Sequence, residues 1–323
     1  MSGVNRALTI GKLRGLRQCS DRKGTLSLLA LDHRQNLRKV LRPDAPHEVG
    51  DAELTAFKRE AVAALADAAT AVLLDPEFGA AQCVASGALP GDRGLIVAVE
   101  ETGYAGGAHA RESRLLENWG VSKIRRMGAS AAKLLVYYHP EASTARGIEA
   151  LVREVAAECE REDLLLVLEP LVYSPNPAGG SLSPDARRRA IVETARRLAQ
   201  PGVDVLKAEF PAASDDEAEW LDACRELTAA SPAPWILLSA AADFEAFLRQ
   251  AEISCRGGAS GVAVGRAVWK EAPRLAAAER AAFLRGEAHR RMTEVAACCA
   301  THARPWTAVY ATPQVDPRWF SRY

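Results

Sequence analysis

Three charged residues of this chain lie inside apolar runs, where charge is costly. Lys207 sits in Val203-Asp204-Val205-Leu206-Lys207-Ala208-Glu209-Phe210-Pro211, a segment that otherwise reads as a buried strand. Strands alternate their side chains between two faces, so Val205, Lys207 and Glu209 share one face and Leu206, Ala208 and Phe210 the other. Burial disfavours the ammonium form and makes the neutral, nucleophilic amine accessible, which is what a Schiff-base lysine requires. Taken alone, the segment fits an ion-paired structural lysine better. Lys133 in Ala131-Ala132-Lys133-Leu134-Leu135-Val136 and Glu169 in Leu166-Val167-Leu168-Glu169-Pro170 shift that balance. Each has its own structural explanation, as one half of a buried ion pair. Together they put two lysines and a carboxylate into an apolar interior, more charge than a purely structural core needs. Two neighbouring lysines also disfavour double protonation, which lowers the pKa of one and favours a nucleophile. The set is expected to be an active site.

The elements that must position these residues are eight short, mostly continuous apolar runs. They span 25–32, 71–75, 94–100, 131–138, 164–173, 203–211, 235–240 and 261–268. Helical stretches are expected near 51–69, 77–87, 111–128, 144–162, 184–200, 214–230, 242–257 and 271–300. Continuous apolar strands suit a parallel sheet covered by helices. Asp51 reads as a helix cap without a full capping box, and Ser183-Pro184-Asp185 places a capping residue before a proline at the first helical position. Eight strand–helix units predict a (β/α)₈ TIM barrel in one domain over 1–323, ending in a C-terminal helix and an aromatic-rich tail at about 301–323. A doubly wound open sheet would carry a glycine-rich phosphate loop after its first strand. The first strand here ends Leu31-Asp32-His33-Arg34-Gln35, without glycine.

Barrel chemistry sits at the C-terminal strand ends. Those ends offer Asp32, His33 and Arg34; Asp75 and Glu77; Glu100 and Glu101; Lys133; Glu169; Lys207; Ser239; and Gly265-Arg266. The loops after the last two strands often hold phosphate through backbone amides. Arg266 adds a bidentate donor to that equipment.

Composition narrows the partners. The chain has 323 residues, 25% of them charged, and a formal net charge of 0, so no global field draws it to nucleic acid or to a membrane surface. No apolar run is long enough to cross a bilayer, and the first residues lack a signal-peptide core. Seven scattered cysteines without a Cys-x-x-Cys pair read as reduced thiols of a cytoplasmic protein. Six scattered histidines provide no paired metal-ligand spacing, so neither a metal nor another cofactor is expected. The expected partner is a small-molecule sugar phosphate. The aromatic tail is expected either to pack on its own barrel or to make a subunit contact in a homo-oligomer.

As an ordered set, several segments resemble the class I tagatose-1,6-bisphosphate aldolases and the related sulfofructosephosphate aldolases. They are Leu31-Asp32-His33-Arg34, Leu73-Leu74-Asp75-Pro76-Glu77, Glu101-Thr102-Gly103-Tyr104, Lys133-Leu134-Leu135-Val136-Tyr137-Tyr138, Asp204-Val205-Leu206-Lys207-Ala208-Glu209, Leu238-Ser239-Ala240 and Gly265-Arg266-Ala267-Val268-Trp269. The resemblance implies reversible, metal-independent cleavage of a phosphorylated ketose such as tagatose 1,6-bisphosphate to dihydroxyacetone phosphate and glyceraldehyde 3-phosphate. It implies Lys207 as the Schiff-base residue, Glu169 in proton transfer, Lys133 beside the nucleophile and Asp32 on substrate hydroxyls. Ser239, Gly265 and Arg266 would bind the phosphate nearest the ketone, and Arg34 the far anionic group. His33 stands where the family usually has glutamine, and is expected to alter hydroxyl recognition or add a group titrating near neutral pH. The alternatives are cleavage of 6-deoxy-6-sulfofructose 1-phosphate to sulfolactaldehyde, and a non-catalytic sugar-phosphate sensor.

Overall fold

The structure, a computed structural model, describes residues 6–214, 216–240 and 243–323. Eight parallel strands close into a barrel: β1 (Leu26–Leu31), β2 (Ala71–Leu74), β3 (Gly94–Ala98), β4 (Ala131–Tyr138), β5 (Leu165–Val172), β6 (Val205–Ala208), β7 (Trp235–Leu238) and β8 (Gly261–Val264). They stand in chain order, and β8 closes the ring on β1 in the register Gly261↔Leu26 to Val264↔Leu29. After β1 to β7 come α1 (Asp51–Leu65), α2 (Ala80–Ala85), α3 (Val121–Arg126), α4 (Ala145–Arg161), α5 (Pro184–Leu198), α6 (Glu217–Ala230) and α7 (Phe244–Arg256). The last long helix, α8 (His289–His302), packs on α7 and β1. This is the (β/α)₈ barrel that the sequence predicts.

Both faces of the strands are buried, which is why they read as continuous apolar runs. Leu29, Val72, Val97, Leu134, Leu166, Leu206 and Leu237 point outward under the helices. Leu26, Leu28, Ala71, Leu73, Ile96, Ala131, Val167, Val205, Ile236 and Ala263 fill the interior. The same two-residue period carries each strand from apolar to polar at its C-terminal end. Asp32 follows Leu28 and Ala30, Glu100 follows Ile96 and Ala98, Lys133 follows Ala131, Glu169 follows Val167, and Lys207 follows Val205. The apolar layers therefore form a floor for one charged layer. Gly261 is required where the barrel closes: its φ is +141°, and a Cβ there would overlap the Leu26 carbonyl oxygen.

Several expected boundaries are corrected. The eighth strand stops at Val264, well short of residue 268. Gly265 turns the backbone (φ −124°, ψ −106°) into a short helix, Arg266–Trp269. The sixth and seventh strands are trimmed to four residues each. The helix expected over 111–128 is confined to α3. Before it lies an antiparallel hairpin, Ala105–Gly107 with Ala110–Glu112, made possible by positive φ at Gly103 and Gly106. The 271–300 helix is broken by a π-helical turn at Leu284–Ala288. Gly50, not Asp51, occupies the cap position of α1, and Asp51 is its first residue, where an acid still suits the helix dipole. Ser183 caps α5 as expected, accepting from the Ala186 amide. Two helices, Ile10–Cys19 and Gln35–Leu41, were not expected from the sequence.

The helix Ile10–Cys19 plugs the N-terminal end of the barrel with Leu13 and Leu16. Its Lys12 is buried, with Nζ 3.0 Å from Asp204 Oδ2 and 2.7 Å from Glu160 Oε2. Asp204 Oδ2 also accepts from the Leu166 amide at 2.9 Å, tying β5 to the start of β6. The tail divides in two. Trp306 and Tyr310 are buried against the barrel floor, and the Tyr310 hydroxyl donates to the Asp204 carbonyl at 2.9 Å. Phe320 and Tyr323 are exposed. Among the described residues no helix is long and apolar enough to cross a membrane.

Candidate active site

A cavity of about 340 Å³ opens at the C-terminal strand ends. All nine residues to which the sequence assigns a site role line it: Asp32, His33, Arg34, Lys133, Glu169, Lys207, Ser239, Gly265 and Arg266; of the other strand-end acids, Glu100 and Glu101 line it and Asp75 and Glu77 do not. A larger groove of about 780 Å³ lies outside the barrel between the loop after β5 and α5, and contains none of them.

The charged layer has a definite connectivity. Lys207 Nζ lies 2.8 Å from Glu169 Oε1, and Glu169 Oε2 lies 3.1 Å from Lys133 Nζ. Lys133 also meets Asp32 Oδ2 at 2.8 Å and Glu100 Oε1 at 2.6 Å. Strand register explains the proximity: Lys133 pairs with Val167 and Leu135 with Glu169, while Leu168 pairs with Leu206, which places Glu169 beside Lys207. Burial opposes the charge on Lys133, but Asp32, Glu100 and Glu169 outweigh it and hold its pKa well above the ordinary value. Lys133 is therefore an ammonium throughout the working pH range. Burial likewise opposes ionisation of Asp32 and Glu169, and the lysines overcome it, keeping both carboxylates ionised below their usual range. Glu169 Oε2 is close to Lys133 but accepts no directed hydrogen bond among the described residues, which leaves a lone pair for a substrate proton.

His33 stacks edge-on against Trp269, with ring centroids 5.5 Å apart at 81°. Burial pushes its pKa down to about 4, against the pull of Asp32. It is neutral at pH 7, which corrects the expectation of a group titrating near neutrality. Its Nδ1 is buried without a partner. On the same side, Ser239 Oγ accepts from the Gly265 amide at 3.0 Å. A Cβ on Gly265 would come within 3.0 Å of the Ala30 carbonyl and 3.2 Å of His33 Cε1. Arg266 Nε is buried without a partner, and burial lowers the arginine's pKa. The Ala241-Ala242 portion of the loop after β7 lies outside the described residues.

Arg34 is placed differently from the other cations. It is buried, with Nη1 2.6 Å from Glu77 Oε2 and Nη2 donating to the Glu100 carbonyl at 2.6 Å. Its charge is already engaged within the protein. Sequence reasoning left Glu100 without a role, although its signal was present: it continues the inward period of Ile96 and Ala98. Glu209 was placed on the Lys207 face but given no partner. It accepts from the Val172 amide at 2.7 Å and pairs with Arg187 at 2.8 Å.

The DeoC/LacD family aldolase profile matches residues 26–271, from the first barrel strand to just past the helix that begins at Arg266. The chain belongs to the DeoC/LacD aldolase family. This family member is 30% identical over 324 residues to the tagatose 1,6-diphosphate aldolase of Lactococcus lactis subsp. lactis, covering 93% of this chain and 98% of that protein. It is 31% identical over 281 residues to the tagatose 1,6-diphosphate aldolase of Staphylococcus aureus strain JH9, covering 81% and 85%. Among solved structures, an archaeal fructose 1,6-bisphosphate aldolase shares the fold of this DeoC/LacD aldolase with TM-score 0.57 at 19% identity, over 88% of this chain and 99% of that one. A protein of Corynebacterium glutamicum aligns with TM-score 0.63 at 17% identity, over 90% and 92%.

Proposed function

We propose that this DeoC/LacD aldolase works through a Schiff base on Lys207 and cleaves a ketose 1-phosphate or 1,6-bisphosphate, with tagatose 1,6-bisphosphate as the first substrate to test. The observation that carries the reading is the Lys207–Glu169–Lys133 relay on three adjacent strands at the floor of one cavity. A nucleophilic amine, a proton acceptor in contact with it and a fixed cation behind the acceptor are what the reaction demands.

Glu169 takes a proton from Lys207, whose lone pair then adds to the C2 carbonyl carbon. Glu169 returns that proton to the resulting hydroxyl, and loss of water gives an iminium ion and restores the carboxylate. A carboxylate, assigned to Glu169, removes the C4 hydroxyl proton. The C3–C4 electron pair moves into the iminium, an aldehyde departs and an enamine remains. Protonation at C3 and hydrolysis return the free amine and release dihydroxyacetone phosphate. Lys133 keeps its charge throughout, favouring the anionic form of Asp32 and, between its proton transfers, of Glu169, and Asp32 is assigned to accept from substrate hydroxyls. Ser239, Gly265 and Arg266 are assigned to the phosphate next to the ketone, because Arg266 supplies an unpaired buried donor beside the Gly265 turn. His33, neutral and facing the same edge, donates or accepts without adding charge.

The test is borohydride trapping with dihydroxyacetone phosphate, followed by peptide mass mapping. The expected adduct is a secondary amine on Lys207, and its absence from the wild-type protein ends the reading.

A further inference from the structure

Across the mouth of the barrel from Arg266 stands a second guanidinium without a counter-ion. Arg111 is carried by the returning strand of the hairpin between β3 and β4. Its guanidinium carbon lies 4.5 Å from the ring centroid of Tyr104, 4.8 Å from that of Tyr173 and 5.3 Å from that of Tyr137. Nε donates to the Ala108 carbonyl at 3.1 Å. Among the described residues its terminal nitrogens have no acceptor, and no carboxylate lies within 4 Å. By contrast, Arg34, which lines the cavity, is paired with Glu77, and Arg187, behind β6, with Glu209.

The support is rigid. The Glu101 amide donates to the Arg114 carbonyl at 2.8 Å, the Tyr137 amide to Ser113 Oγ at 3.1 Å, and the Arg111 amide to the Tyr173 hydroxyl at 3.2 Å. Tyr137 lines the cavity, as do Thr102 and Gly103, which lead into Tyr104. In the closed strand order β4 is four strands from β8 in either direction. Arg266, just after β8, and Arg111, against Tyr137 of β4, therefore stand on opposite sides, with Glu169 and Lys207 on the arc between them.

We propose that Arg111, held by Tyr104, Tyr137 and Tyr173, binds the terminal oxyanion on the aldehyde-forming half of the substrate, a phosphate or a sulfonate. It takes the role that the resemblance gave to Arg34, and it rests on the reading of the cavity as a ketose-phosphate aldolase site. Aromatic faces fix the guanidinium plane at little entropic cost and leave its donor edge for a tetrahedral anion, which it grips with two parallel hydrogen bonds. A substrate anchored at both ends is held with its C3–C4 bond over Lys207 and Glu169.

The test compares tagatose 1,6-bisphosphate, 6-deoxy-6-sulfofructose 1-phosphate and tagatose 1-phosphate by titration calorimetry. The Lys207→Ala background prevents cleavage. Arg111→Ala is expected to weaken at least one of the two ligands that carry a second anionic group by about tenfold or more, with Arg111→Lys recovering part of the loss. Which ligand weakens identifies the oxyanion. Unchanged binding of tagatose 1-phosphate is expected, and doubles as the control for folding. Equal weakening of all three ligands makes the tyrosine cage structural and overturns the proposal, as does unchanged binding of both ligands that carry a second anionic group. Failure of the Schiff-base reading appears elsewhere, as a missing borohydride adduct in the wild type.

Discussion

Lys133 and Glu100 meet at 2.6 Å inside the barrel, and the second oxygen of Glu100 accepts from the Leu135 amide at 3.1 Å. The carboxylate thus bonds both the side chain and the backbone of β4. It fixes the ammonium in place before any substrate arrives, leaving Asp32 and Glu169 to share the remaining charge. Glu100→Gln keeps the shape and removes one counter-ion. Stability is expected to fall by about 1–3 kcal/mol, since a buried ammonium loses one of three partners. Urea denaturation measures this. A variant as stable as the wild type shows that the contact contributes nothing.

Lys207→Arg keeps a cation beside Glu169 but removes the primary amine. Turnover is expected to drop by about a thousandfold or more, as is expected also for Lys207→Ala, because loss of a covalent nucleophile is not compensated by charge. Release of dihydroxyacetone phosphate from tagatose 1,6-bisphosphate is the assay. Substantial activity in the arginine variant contradicts imine formation at this residue.

Glu169→Gln tests the proton relay separately from the nucleophile. The amide has nearly the same size but cannot take the proton from Lys207 or from a substrate hydroxyl. A fall in kcat of about 10²–10⁴ is expected, with borohydride adduct still formed, only more slowly. Wild-type kcat in this variant assigns proton transfer to another group.

His33 makes stability depend on pH in a defined window. Its pKa is 6.5 when unperturbed and about 4 in the fold, so between these values the unfolded chain binds more protons. Stability is fully present above about pH 6.5 and is lost as pH falls toward 4. The shift corresponds to about 3 kcal/mol, an upper figure because the residue keeps some exposure to the cavity. Asp32 and Glu169 act lower, their contributions being present above about pH 4 and lost below it. His33→Gln is expected to flatten the melting-temperature profile between pH 6.5 and 4 while leaving the acid limb. An unchanged slope means that His33 is already solvated.

Gly261→Ala places a methyl group on the Leu26 carbonyl at the seam between β8 and β1. Backbone has to move, because no flexible side chain stands there to yield. A loss of more than about 2 kcal/mol is expected in thermal or chemical denaturation. Gly50→Ala, which meets no atom within 4 Å, is the matched control.

The fold was legible because strands buried on both faces carry an unmistakable apolar pattern, and because its inward period turns polar at one end. That same period placed Asp32, Lys133, Glu169 and Lys207 on one cavity wall. What stayed hidden depends on pairing between distant segments. Nothing in Asp32-His33-Arg34 reveals that Glu77 engages the arginine, or that Trp269 and burial keep the histidine neutral. The sequence predicts helix from residue 111 onward, since Arg111-Glu112-Ser113-Arg114-Leu115-Leu116 has helical composition, and so misses the returning strand of the hairpin. Its true conformation is dictated by Gly103 and Gly106 upstream and by contacts with β4 and β5. The helix Ile10–Cys19 is masked in the sequence because its buried face includes Lys12, whose partners Asp204 and Glu160 lie far along the chain.

That last contact reaches further than the barrel floor. Asp204 is three residues before Lys207, immediately ahead of the four-residue strand that carries it, and is gripped by Lys12, the Leu166 amide and the Tyr310 hydroxyl. Lys207, the proposed nucleophile, is thus moored from below by residues near both ends of the chain. Trimming the chain before Tyr310, or fusing a bulky partner against the N-terminal helix, would loosen an anchorage at the far pole from the substrate. The resulting damage would be recorded as slow chemistry, although no residue lining the cavity had been touched.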